Sequence, residues 1–255
     1  MAHIRLAVTN AGDGPPVVFI HGFPFDHALW RHQMALPGWT SIAPDLRGAG
    51  RSPSDGEYSM QQYAEDLVGV LDQRQLERAV FCGLSMGGYV LFEILRRFPA
   101  RVRAAVLANT KAVGDTPEGK RDRDALAALA EREGAAAIAE RMITKVVGRT
   151  SQAERQDVVA EVRAMMLRQP VQGIVGALRA MRDRPDSTPL LSSIAVPTLL
   201  IAGDEDQVTP AAPMRDMARA IPGATITVIA SAGHVTPLEQ PRAFNAALGA
   251  FLAGL

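Results

Sequence analysis

One stretch constrains this chain more than any other: Cys82-Gly83-Leu84-Ser85-Met86-Gly87-Gly88. Just before it, Arg78-Ala79-Val80-Phe81 reads as a short buried strand. Just after it, Tyr89 to Phe98 carries apolar residues at Val90, Leu91, Ile94 and Leu95 and reads as a helix. Strand, tight turn and helix is the setting in which a G-x-S-x-G sequence holds its serine on a strained turn, hydroxyl outward. Gly83 and Gly87 lack the Cβ atoms that would crowd the strand against the helix. The first amides of that helix have no intrahelical partner and carry partial positive charge, which suits an oxyanion. The bare pattern is common, so the rest of the chain must support it.

The surrounding segments alternate in a regular way. His3 to Val8 reads as a strand, and Asn10 to Pro16 as a turn cluster. Val17-Val18-Phe19-Ile20 is an unbroken apolar run, expected to be a strand buried on both faces and ending at His21-Gly22-Phe23-Pro24. A short helix is expected over 27–36 and a strand over Thr40 to Ala43. Ser59 and Gln62 form a capping box ahead of a helical stripe at Met60, Tyr63, Leu67, Val70 and Leu71. Val102 to Ala108 and Val196 to Ala202 read as further strands, and Ala224 to Ala230 as the last, before a closing helix over Phe244 to Leu252. This rhythm predicts an α/β fold with a mostly parallel sheet of about seven or eight strands covered by helices on both faces. Ligands of such sheets lie beyond the carboxyl ends of the strands.

Residues 111–190 break the rhythm. They hold no convincing strand and read as helices over 118–132, 134–147, 151–168 and 170–182. Ser151 with Glu154 is a second capping box, and Pro170 suits a first helical position. The expected organisation is therefore a core of residues 1–110 and 191–255 with a helical cap, 111–190, inserted between two strands. Its methionines, Met142 and Met166 among them, suit packing of the cap onto the body, with lining of a substrate pocket as the competing reading.

Composition excludes several classes. The 27 Lys and Arg balance the 27 Asp and Glu, and no basic face of the kind nucleic acids require is concentrated anywhere. The single cysteine, Cys82, rules out an intrachain disulfide and is expected to be buried and inert. The amino terminus has no apolar signal core, and no apolar run approaches the ~20 residues of a membrane span. A soluble cytoplasmic monomer or homodimer without membrane or nucleic-acid partners is expected. Asp45, Arg47 and Arg51 suggest a capped turn with an ion pair more than an anion site. There is no phosphate-binding loop, no dinucleotide fingerprint and no Cys or His cluster with metal spacing, so neither cofactor nor metal is expected.

A serine hydroxyl needs a base to take its proton, and the base needs an acid to orient it. Of the histidines, His234 follows the last strand in the loop Ser231-Ala232-Gly233-His234 and is the assigned base. His3, His27 and His32 have no strand-end placement. His21 precedes a glycine loop and is expected to brace it. The acid belongs between nucleophile and histidine in the chain. Asp206, three residues past Gly203, is preferred over Asp204, and the other strand-end position carries the amide Asn109. The backbone amides of Met86 and Phe23 are assigned as the oxyanion hole. Phe25, Trp30, Met142 and Met166 are the candidate pocket residues, with packing the competing reading at each.

Taken together, His21-Gly22-Phe23-Pro24, Asp45 to Ser52, Gly83 to Gly88, Gly203 to Asp206 and Gly233-His234 resemble the α/β-hydrolase family along nearly the whole chain. Gly83 to Gly88 and the helical cap look like the 3-oxoadipate enol-lactonase and small carboxylesterase branch. The resemblance implies an eight-stranded sheet, a Ser-Asp-His triad, no cofactor and a small-molecule ester or lactone as substrate. Only one strand is evident before Val17, so a departure is expected there. His21 to Pro24 is also similar to epoxide hydrolases and haloalkane dehalogenases, which use an aspartate where this chain has Ser85. Cofactor-free perhydrolases of the haloperoxidase kind, C–C hydrolases and slow-turnover binding proteins on the same fold are the alternatives.

Overall fold

The computed structural model describes residues 4–255. Among these, seven strands form one sheet: β1 (Val8–Ala11), β2 (Pro16–Ile20), β3 (Thr40–Pro44), β4 (Ala79–Leu84), β5 (Val102–Ala108), β6 (Thr198–Gly203) and β7 (Thr225–Ile229). Their order is β1-β3-β2-β4-β5-β6-β7, with β1 antiparallel to β3 and every other pairing parallel. The eighth strand implied by the resemblance is not present among the described residues. The first strand is displaced from expectation: it spans Val8–Ala11, sharing only Val8 with the expected strand and taking Asn10 and Ala11 from the expected turn cluster. Pairing with β3 outweighs the weak local preference there. His3 lies outside the described residues.

The unbroken apolar runs are buried on both faces because alternate side chains serve two separate cores. Val18, Ile20 and Phe81 enter one apolar cluster, and Val17, Phe19, Val80 and Cys82 enter the other. Burial pushes the Cys82 thiol well above its ordinary range, in keeping with an inert side chain. The first cluster is covered by α1 (Met60–Gln73) and α2 (Met86–Arg97). The Ser59 hydroxyl accepts the Gln62 amide at 3.0 Å and starts α1 as its capping sequence predicts. The expected helix over 27–36 is a 3-10 turn, His27–Gln33, capped by Asp26.

Four helices lie between the neighbouring strands β5 and β6: α3 (Pro117–Val146), α4 (Arg149–Glu154), α5 (Gln156–Leu167) and α6 (Val171–Arg182). Helix α3 merges two of the expected helices across a kink at Gly134, whose φ of 76° and ψ of −173° leave the helical region. The Ser151–Glu154 capping box does not form. Helix α4 begins at Arg149 after Gly148, and Ser151 is buried inside it. Pro170 sits one residue before α6 instead of within it. The face of α6 that meets the body is cut to fit: a Cβ on Gly173 would lie 1.7 Å from the Gly48 carbonyl oxygen. Arg168 and Gln169, between α5 and α6, both reach the buried Asp26 carboxylate. The chain closes with α7 (Ala211–Ala220), α8 (Thr236–Glu239) and α9 (Pro241–Leu252). Among the described residues no helix is long and apolar enough to cross a membrane.

Candidate active site

Strands β4, β5, β6 and β7 are adjacent and parallel, so their carboxyl ends share one rim of the sheet. Ser85 follows β4, Asn109 follows β5, Asp206 lies just past β6 and His234 lies in the loop after β7. The topology alone thus gathers residues that are up to 149 positions apart in the sequence.

Ser85 adopts φ 55° and ψ −113°, a strained conformation for a residue with a side chain. Its backbone is held on both sides. Its amide donates to the Ala108 carbonyl at 2.9 Å, and its carbonyl accepts the Thr110 hydroxyl at 2.8 Å. Gly87 explains how the turn fits: a Cβ there would stand 2.2 Å from the Ile20 carbonyl oxygen. Met86 is the first residue of α2, so its amide is one of those a helix leaves without an internal partner. The loop after β2 lies against this turn, since a Cβ on Gly22 would be 3.2 Å from Ser85 Cβ. Phe23, next in that loop, precedes a cis peptide to Pro24.

His21 anchors the same loop. Leu46 N donates to His21 Nε2 at 2.9 Å, so the proton sits on Nδ1, which faces the Gly22 carbonyl at 2.9 Å. Burial lowers the imidazole's pKa, against smaller raising effects of Gly22 and Asp45. The ring is a neutral brace between the ends of β2 and β3.

Asp206 Oδ2 lies 2.8 Å from His234 Nδ1, and both side chains are buried. The carboxylate places the imidazole proton on Nδ1 and leaves the Nε2 lone pair free to accept a proton. Three more residues hold Asp206. Its Oδ1 accepts the Val208 and Thr209 amides at 2.7 and 2.9 Å. Its Oδ2 accepts the Thr209 hydroxyl at 2.7 Å and the Asn109 carboxamide at 2.8 Å. Burial opposes ionisation of this carboxyl. The adjacent His234 and the hydrogen bonds from His234, Asn109 and Thr209 outweigh it and bring the pKa to about 2. Asp204 is exposed, and among the described residues its side chain accepts only the Ala232 amide, at 3.4 Å.

Asn109 and Thr209 carry no local signature in the sequence. Asn109 also donates to the Gly233 carbonyl at 3.2 Å and accepts the Thr236 hydroxyl at 2.7 Å, so it ties the Asp206 loop to the His234 loop. It adopts φ 43°, a second non-glycine residue at this rim in the left-handed region.

Two concavities share Phe23 in their walls, beside the Ser85 turn. One is a tight apolar cavity of about 20 Å³ whose walls include Phe23, Phe25, Tyr63, Met86, Ile174 and Ala177. The other is an open cleft of about 430 Å³ along α3, with Phe23 and Met142 in its wall beside Asp122, Arg123, Arg141, Lys145 and Val208. The candidate pocket residues therefore separate. Phe25 and Met142 each line one of these two spaces, whereas Trp30 and Met166 line neither. Trp30 lies on the turn that packs between sheet and α9, with ring centroids 5.0 Å from Phe19 and 5.9 Å from Phe244. Met166, on α5, is fully buried in the same apolar cluster. Both are core residues.

The consecutive residues Asp26 and His27 and the more distant Asp45 bring their ligand atoms within 4.8 Å of one another. Their charge is already met. Arg168 binds both oxygens of Asp26, while Arg51 and His27 bind Asp45. The ion pair expected of Asp45 with a nearby arginine is the one with Arg51, at 2.9 Å, while Arg47 pairs with Asp66 at 2.8 and 2.9 Å.

The alpha/beta hydrolase fold family matches residues 15–241. The chain belongs to that family. It is 37% identical to a thermophilic esterase from Thermogutta terrifontis, solved with malate bound, with a TM-score of 0.96 over 98% of this chain and 94% of that one. It is 27% identical to the enol-lactonase from Burkholderia xenovorans, with a TM-score of 0.91 over 99% of both chains. Among curated relatives, 3-oxoadipate enol-lactonase 2 of Acinetobacter baylyi is 28% identical over 98% of this chain and 92% of its own length. The expected fold and family resemblance hold for this hydrolase.

Proposed function

We propose that this chain is a serine hydrolase of carboxylic esters or lactones, with Ser85 as nucleophile, His234 as general base and Asp206 as orienting acid. The observation that carries the reading is the 2.8 Å pair of His234 Nδ1 and Asp206 Oδ2 on the same rim as the strained Ser85 turn. His234 Nε2 takes the Ser85 proton as the hydroxyl attacks the carbonyl carbon. The amides of Met86 and Phe23 hold the oxyanion. His234 then gives its proton to the leaving alkoxide, and the acyl group stays on Ser85. Water, deprotonated by His234, attacks the acyl carbon, and Ser85 leaves with the proton returned.

The apolar cavity beside Phe23 and Met86 is assigned to the acyl group, and its modest size favours short chains. The cleft under the helical insertion, 111–190, is assigned to the alcohol side and makes that insertion a cap. Arg141 and Lys145 stand one turn apart on α3 in its wall, and among the described residues neither meets an acid. Like charges at this spacing repel on a bare helix. Substrates bearing a carboxylate on that side fit the cleft. Malate in the 37% identical esterase is consistent with such a preference.

Hydrolysis of p-nitrophenyl esters from acetate to dodecanoate, comparing the unaltered protein with Ser85→Ala, tests the reading. Turnover that disappears in the variant, with an optimum at short acyl chains, is expected. Inactivity on every ester and on lactones overturns it. Peroxide-dependent bromination or dienoate cleavage would then move the same residues to another reaction.

A further inference from the structure

The loop that carries His234 is fixed by a carboxylate that the proposed chemistry does not use. Glu239, on α8, is fully buried. Its Oε1 accepts the amides of Gly233 at 2.9 Å and Val235 at 3.3 Å, the two neighbours of His234 in the chain. Its Oε2 accepts the Gly148 amide at 2.8 Å, from the junction of α3 and α4. The Ser151 side chain in α4 also bonds it. The His234 amide itself donates to the Val146 carbonyl, at 2.8 Å. The two backbones are packed directly against each other: a Cβ on Gly233 would lie 2.3 Å from Gly148 N.

A second carboxylate, Glu205, holds only the far side of this junction. It accepts the Thr150 amide and hydroxyl at 2.8 and 2.6 Å and pairs with the exposed Arg149. Among the described residues its side chain makes no hydrogen bond to either neighbour of His234. The roles of the two acids therefore differ. Glu205 holds the helical insertion, whereas Glu239 holds the insertion and the histidine loop together.

Resting on the reading of His234 as general base, we propose that Glu239 is its positioning residue and makes the imidazole's placement depend on the seat of the helical insertion. The chemistry of the carboxylate explains why this residue type is needed. Two oxygens without protons can serve donors from two directions, and an amide cannot. In Glu239→Gln the new NH2 faces an N–H, either of Gly148 or of the Gly233 and Val235 pair. A buried donor is then left opposed, and the loop shifts.

Three variants, Glu239→Gln, Glu239→Asp and Glu205→Gln, are compared on p-nitrophenyl acetate and by proton NMR. The readout in NMR is the far-downfield Nδ1–H signal of His234, identified by its loss in Asp206→Asn. For Glu239→Gln, kcat is expected to fall about 10–100-fold, as a misplaced base should, while KM changes little. The downfield signal should shift or broaden. Glu205→Gln should keep kcat within about twofold and the signal in place, with any change falling on KM. If Glu239→Gln does not fold, Glu239→Asp, which keeps both oxygens, is read in the same two ways. Amide exchange in the unaltered protein needs no variant: the Gly148 and Gly233 amides should belong to the slowest class, and rapid exchange overturns the proposal. So does a folded Glu239 variant with an unmoved signal and unchanged kcat, or equal losses in the Glu205 and Glu239 variants. Should the unaltered protein hydrolyse no ester, the functional reading fails, yet the NMR comparison still decides the positioning role.

Discussion

The Asn109 carboxamide donates to Asp206 Oδ2 at 2.8 Å from the end of the neighbouring strand. It sits where a second carboxylate would be a rival to Asp206, and it acts as a donor to it. Asn109→Asp would put two acids in contact, and one of them would take up a proton near neutrality. The variant is expected to lose at least about tenfold in kcat, more than Asn109→Ala, with recovery as the pH is raised. Steady-state kinetics between pH 6 and 9 check this.

Asp206→Asn removes the charge but keeps the shape. The loss in kcat is expected to reach about 10⁴-fold, since the imidazole would favour the wrong tautomer and lack a partner for its cation. Because the Asp206 pKa of about 2 lies below the ordinary carboxylate value of 3.8, its share of stability is complete above about pH 4 and is lost as pH falls toward 2. Acid titration of the unaltered protein and the variant, followed by circular dichroism, should show the variant missing that part of the transition.

His21 acts in a higher window. Burial lowers its folded pKa below the 6.5 of a free imidazole, so the unfolded chain binds the proton first as pH drops. Its contribution is full above about pH 6.5 and is lost on acidification below it. Glu239, whose carboxyl burial raises, works in the opposite direction, becoming less unfavourable as pH falls. The difference between the unaltered protein and His21→Asn isolates the histidine. Melting temperatures from pH 7.5 to 5 should converge as the pH is lowered.

The cavity beside Met86 makes a specificity prediction. Ala177→Val would fill it and should move the acyl-chain optimum toward acetate. Ile174→Ala would widen it, favour longer chains and cost about 2–5 kcal/mol of stability. A p-nitrophenyl ester series on both variants, with melting curves, separates the two effects.

Gly173→Ala should be among the most damaging single-methyl changes in the protein. The added carbon would stand 1.7 Å from the Gly48 carbonyl oxygen, a backbone atom that cannot step aside. Helix α6 must lift from the body, at a cost of about 3 kcal/mol or more. Thermal unfolding checks this, with Gly249→Ala, which meets nothing within 4 Å, as the control.

Much of the sheet was legible because apolar runs between glycine loops have one common solution, burial on both faces. The Ser85 turn was legible because its glycines are local requirements of a strand meeting a helix. Asp206 and His234 could be singled out by chain order, since both follow strands. Asn109, Thr209 and Glu239 could not, because each matters through partners distant in the chain. Ser151 shows the opposite failure. Its local sequence matched a helix cap, but the hydroxyl is committed to Glu239 and the helix starts earlier. Trp30 and Met166 show that apolar identity does not say which apolar surface a residue joins, the wall of a cavity or the filled core.

The position of the helical insertion between β5 and β6 has a consequence for how the chain is made. The two strands pair side by side, yet every residue of α3 to α6 is synthesised between them. During elongation the buried strand β5 already has β4 on one flank and nothing of its own sheet on the other. That edge waits roughly 5–20 s at ordinary translation rates before β6 emerges. An apolar strand edge left open on that timescale invites pairing with a neighbouring nascent chain. Changes that slow the folding of α3 to α6 should therefore show first as lost soluble yield, at expression rates where the mature protein would be just as stable.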